Sequence, residues 1–239
     1  MNQIPSGPPS QARLARVIGF AFLLAIILVV VANYGISFRL LIPNNAGGTA
    51  RNILAHETLF RVNIACDLAY VLTLLVLLTA LYVTLEPVDR PLALLAAACR
   101  LLVALMWGLT ALNMLGALRL LGHAAYLPAF QAEQLQALAR LNLASSYDAY
   151  YVGLPFWGLS SLVFSVLWLK SRFIPRPLSI FGLIASAWCV FCAFAFIACP
   201  HFDQVVNASW FDTPLVLFEL ALGLWLVFKG LSPAKRTAT

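Results

Sequence analysis

Apolar residues in this chain come in long unbroken blocks and do not alternate with polar ones. Six blocks stand out, at about 17–34, 62–85, 92–117, 147–169, 178–199 and 213–228. A hydrocarbon core about 30 Å thick takes about 20 such residues per helix. Only helices satisfy every backbone group of such segments in lipid, so the pattern predicts an all-α, polytopic membrane protein built as a bundle of six transmembrane helices.

The polar intervals define the connections. Glu86, Pro87, Asp89, Arg90 and Pro91 form a short charged turn that makes the second and third spans antiparallel neighbours. Residues 35–50 carry Pro43, Asn44, Asn45, Gly47 and Gly48, after which Thr49 is expected to cap a helix that runs on into span two, with Glu57 and Arg61 at i and i+4. Residues 119–146 are too polar to span. Gln134, Gln136, Arg140 and Asn142 oppose Leu135, Leu138 and Leu141 at helical spacing, which predicts an interfacial amphipathic helix. Span four opens in Tyr147, Asp148, Tyr150 and Tyr151 at the level where amphipathic aromatics anchor, and Pro155 inside it is expected to kink the helix and release the carbonyl of Tyr151. The proline-rich residues 1–12 read as a flexible tail, 13–230 as the transmembrane domain and 231–239 as a cytoplasmic tail. The first block also has the flanks of a signal peptide, but it is long for one and is read as a span.

Composition agrees: 62% of residues are apolar, 10% are charged, and mean hydropathy is +0.91. Soluble domains carry about 25% charged residues. The net charge of +6 is scattered at helix ends and not gathered into a stripe with interleaved aromatics, which argues against a nucleic-acid partner. It reports orientation instead. Arg13, Arg16, Arg90, Lys170, Arg172, Arg176, Lys229, Lys235 and Arg236 fall on one side and Arg39, Arg51, Arg61, Arg119 and Arg140 on the other. Nine against five places both termini in the cytoplasm. The five cysteines lie in or at the ends of apolar runs without metal-ligand spacing, and the Cys189/Cys192 pair reads as packing.

Three segments, ARNILAHETLFRVNIACDL, LYVTLEPVDRPLALLAAACRLLVA and LKSRFIPRPLSIFGLIA, resemble a family of bacterial membrane proteins catalogued as domain of unknown function 4386. The similarity covers most of the chain from Arg16 to about Phe196, and the proline turn with the Arg-Leu pair of span three is its most specific part. The resemblance implies a multi-pass protein of the cytoplasmic membrane and implies no activity.

Charged groups at membrane depth cost at least about 2.5–3.5 kcal/mol each unless partnered, so they are the places to look for function. Asp67, Asn113 and Glu219 are expected at a similar level in the outer half with Asp148 nearer the surface, so that the four could converge with Tyr70 and Tyr151 beside them. Arg100, about 12 Å in from the cytoplasmic face at about 1.5 Å per residue, is expected to snorkel to the headgroups, to make a purely structural hydrogen bond, or to hold an anionic head group or substrate. His56, His123, His201 and Asp203 are weak metal candidates, since they come from separate loops without ligand spacing. There is no nucleophile-elbow, Walker or dinucleotide motif, and no cofactor is expected.

Three functions follow. The first is a non-enzymatic protein of the lipid membrane that binds or moves a small amphiphile or lipid in an outward-facing polar cavity lined by Asp67, Tyr70, Asn113, Asp148, Tyr151 and Glu219. The second is a structural or regulatory membrane partner without a ligand. The third is an intramembrane lipid-modifying enzyme using the outer carboxylates as acid and base.

Overall fold

The computed structural model describes residues 9–43, 45–122, 130–199, 201–207 and 210–232. The described residues are helical with no strand. Helix α1 is Pro9–Val30; it continues as a π-helix, Val31–Ser37, and a last α-turn, α2, Phe38–Leu40. Then follow α3 Ala46–Ala55, α4 Glu57–Leu85, α5 Arg90–Leu121, α6 Ala132–Ser171, α7 Arg176–Ala198 and α8 Thr213–Phe228. Five helical segments are long and apolar enough to cross a membrane: Gln11–Leu40, α4, α5, α6 and α7. The apolar α8 has 16 residues, about 24 Å, which is short of a full hydrocarbon core.

Two connections differ from the sequence reading. Helix α3 is capped by Asn45, whose Oδ1 accepts from the Gly48 N–H at 2.7 Å, and not by Thr49. The Thr49 hydroxyl instead bonds both the N–H and the carbonyl of Ile42, closing the loop onto the helix. The helix also stops at His56 before α4 begins. Residues 132–171 form one 40-residue helix, so the amphipathic segment and span four are continuous; no glycine or proline separates them. At about 60 Å, α6 is twice as long as the bilayer core requires.

The chain forms two compact units. The first takes in residues 1–26, 73–103 and 154–239. Here helices approach closely through small residues, as membrane interfaces favour. A Cβ on Gly19 of α1 would stand 2.8 Å from the Gly223 carbonyl of α8, and one on Gly182 of α7 would stand 2.4 Å from the Phe218 ring of α8. Ser160 of α6 donates to the Ala96 carbonyl of α5 at 2.8 Å. The second unit takes in residues 27–72 and 104–153. Its core gathers Ile36, Leu40, Ile53, Phe60, Ile64, Met114 and Leu143, and Thr110 of α5 donates to the Ser146 carbonyl of α6 at 3.1 Å.

Candidate functional site

The first unit contains a buried charge network built on three helices. Arg100 is carried by α5 and is 1% exposed; Glu219 is carried by α8 and is 7% exposed. Arg100 Nη2 donates to Glu219 Oε1 at 3.0 Å and to Ser161 Oγ at 2.8 Å. The same carboxylate oxygen accepts from Ser161 Oγ at 3.1 Å and from Trp157 Nε1 at 2.9 Å. Trp157 and Ser161 lie one turn apart on α6, so a single face of that helix supplies two donors. Arg100 Nε and Nη1 are buried without a partner among the described residues.

This corrects the expectation that Arg100 snorkels to the headgroups. Its side chain is fully enclosed and paired. Glu219 and Arg100 were expected at different depths, but α8 is short, so a residue nine positions from its end lies only about 14 Å from that end. Depths counted from opposite faces therefore meet, and the guanidinium stem covers the rest.

The other candidate ligand-binding residues, Asp67, Tyr70, Asn113, Asp148 and Tyr151, fall in the second unit, apart from Glu219. Asp67 of α4 is 3% exposed, and among the described residues no hydrogen bond or ion pair reaches its carboxylate. Tyr70, one turn on, packs against Trp107 with ring centroids 4.6 Å apart; Trp107 meets Tyr150 at 6.3 Å and Tyr150 meets Tyr151 at 5.5 Å. An aromatic series thus links α4, α5 and α6. Asn113 is half-buried, while Asp148 is exposed. Sequence reasoning passed over Asn63, a 2%-exposed amide one turn before Asp67, because it stands at the very start of the apolar block.

His56, His201 and Asp203 are exposed, His123 lies outside the described residues, and no group of metal-ligating side chains occurs among the described residues. All five cysteines are free thiols; Cys189 and Cys192 are buried, as packing requires.

The first unit also holds a cavity of about 360 Å³. Val83, Val88 and Phe173 give it apolar walls and Gln11, Thr84 and Ser171 give it polar groups. None of these was singled out from the sequence. Between Ser171 and Phe173, Arg172 adopts a left-handed backbone, φ 56°, a conformation that costs a non-glycine residue on the order of 1–3 kcal/mol.

Long apolar helices enclosing an ion pair define a multi-pass integral membrane protein of the all-α class. The chain belongs to the family described as Domain of unknown function (DUF4386), whose model matches residues 17–230. No curated protein and no solved structure matches it significantly.

Proposed function

We propose that this is a non-enzymatic membrane protein with six spans and both termini in the cytoplasm, which binds a small amphiphile with an anionic head in the cavity of its first unit. The observation that carries the reading is the 360 Å³ cavity with mixed walls. That volume falls within the roughly 300–1,000 Å³ of small-molecule sites. Its lining residues adjoin in sequence the most basic segments of the chain: Gln11 precedes Arg13 and Arg16, and Ser171 stands between Lys170 and Arg172. Such clusters on the cytoplasmic side attract anionic lipid heads at about 1 kcal/mol per cation. The left-handed Arg172 supports the same reading, since backbone strain collects at ligand clamps. This moves the amphiphile from the residues of the second unit to the first unit.

Native mass spectrometry of the detergent-purified protein tests it, beside a Val88→Trp variant that fills the cavity. The wild type is expected to carry a stoichiometric anionic lipid that the variant lacks. Two bare proteins, or an adduct kept by the variant, would reject the reading.

A second reading, a structural or regulatory partner without a ligand, is favoured by the Arg100 and Glu219 charges, which are largely spent on each other. It predicts two bare, folded proteins in the same experiment.

A further inference from the structure

The second unit places two unsatisfied oxygen acceptors on one face of α4. Asn63 and Asp67 are four residues apart, hence neighbours about 5–6 Å apart at Cβ, and both are more than nine-tenths buried. The Asn63 amide nitrogen donates to Ser37 Oγ at 3.0 Å and contacts Met114 Sδ at 3.8 Å. A thioether can only accept, so the nitrogen end of the amide is fixed there and the oxygen end faces elsewhere. That oxygen, Oδ1, is buried with no partner among the described residues. The Asp67 carboxylate has none either. A buried carboxylate without a donor is among the costliest groups a protein interior can hold, and the carbonyl one turn away on the same face supplies none.

Ser37 is the last residue of the π-helix Val31–Ser37. π-Helical segments are rare and occur frequently at functional sites, and this one brings a hydroxyl oxygen to the Asn63 side chain. A carboxylate and an amide carbonyl therefore share one face of α4 with acceptor capacity to spare, and the hydroxyl anchors the other end of the amide. Acceptors alone call for a cation. One formal negative charge balances a single positive charge, and among the described residues no group of three or more carboxylates, histidines and cysteines gathers as a divalent or transition metal would require. Both groups present oxygen, the ligand of hard cations.

We propose that Asp67 and Asn63 Oδ1 bind a monovalent alkali cation. The ion cancels the Asp67 charge and occupies the Asn63 oxygen, while the nitrogen end of the same amide ties α4 to the π-helix through Ser37. This is independent of the amphiphile cavity, which belongs to the other unit.

The test measures thermal unfolding of the purified full chain in detergent at fixed pH and ionic strength, with choline chloride replaced stepwise by NaCl or KCl. At least one alkali salt is expected to raise the wild-type midpoint saturably, by about 3 °C or more. Asp67→Asn should abolish the rise, while Arg61→Gln, an exposed change on the same helix, should keep it. Equilibrium binding of radioactive sodium to the wild type supplies a readout that needs no folded variant, with about one ion per chain expected in the range where the midpoint rises. Should neither salt move the midpoint and no ion bind, or should the rise persist in Asp67→Asn, the site is not there. A midpoint that follows pH but neither cation would also overturn it, and would make Asp67 a neutral acid donating to Asn63.

Discussion

Glu219 and Asp67 are both carboxylates buried in apolar helices, and they are solved in opposite ways. In the first unit, one oxygen of Glu219 collects three donors, from Arg100, Trp157 and Ser161, at 2.9 to 3.1 Å. In the second unit, Asp67 is no more exposed, yet no donor from the described chain reaches it. Depth in lipid sets the cost of a charge, while the partners decide what the charge is for. A carboxylate whose donors are supplied by its own chain is part of the scaffold. One left without them depends on something the chain does not supply.

The sharpest way to break this contrast is to apply the same acid-to-amide change at both sites. Removing one member of a buried ion pair costs about 3–5 kcal/mol, because the other charge is left stranded. Arg100→Met and Glu219→Gln should each lower the thermal midpoint by a corresponding amount. The double change Arg100→Met/Glu219→Leu should recover most of it, since an apolar replacement of the whole pair is often neutral. Asp67→Asn, measured in choline chloride, should leave the midpoint unchanged or raise it. Equal losses at both acids would show that Asp67 has a partner in the fold after all.

Next in size are the glycines. Gly19→Ala in the first unit drives a methyl to 2.8 Å from the Gly223 carbonyl, and backbone cannot yield as a side chain can. Overpacking of this kind costs about 1–3 kcal/mol. Gly108→Ala on α5 is the counterpart, since nothing stands within 4 Å of the added Cβ. There the better helix propensity should raise stability by about 0.5–1 kcal/mol. The two midpoints should move in opposite directions, and a common sign would mean that the α1 and α8 backbones are not in close approach.

Much of the architecture was legible because hydropathy over 20 residues is a strong signal: the long helices and the short charged turn at Glu86 to Asp89 fall where the apolar blocks place them. Arg100 and Glu219 were also visible as charges in apolar surroundings. Their pairing was not, because counting depth from the nearest end treats every span as 30 Å long, and α8 is shorter. Trp157 and Ser161 carry no charge to draw attention to them, although their i, i+4 spacing is what aims two donors at one acid. Asn63 escaped because an asparagine at the edge of an apolar block looks like a boundary residue. The amphiphile cavity was illegible for a different reason. Val83, Val88 and Phe173 are ordinary apolar residues far apart in sequence, and only the folded chain brings them to a common wall.

The smallest effect comes from an ion pair that water reaches. At the turn between α4 and α5, Lys170 Nζ donates to Asp89 Oδ2 at 3.0 Å, and Asp89 Oδ1 accepts from the Leu92 N–H at the start of α5. The Lys170 hydrogen bond, helped by the backbone N–H of Leu92, holds the Asp89 carboxyl below its usual range. Since the folded state favours the ionised form, this group's contribution is complete above the ordinary carboxylate range and fades as pH falls through the lowered value. Lys170→Met should therefore lower the thermal midpoint slightly at neutral pH, with the two curves converging under acid. High salt should shrink the difference, because exposed pairs are screened. A gap that survived both acid and high salt would show that Lys170 stabilises the turn through its aliphatic stem and not its charge, which would set this pair apart from Arg100 and Glu219 for a different reason than exposure.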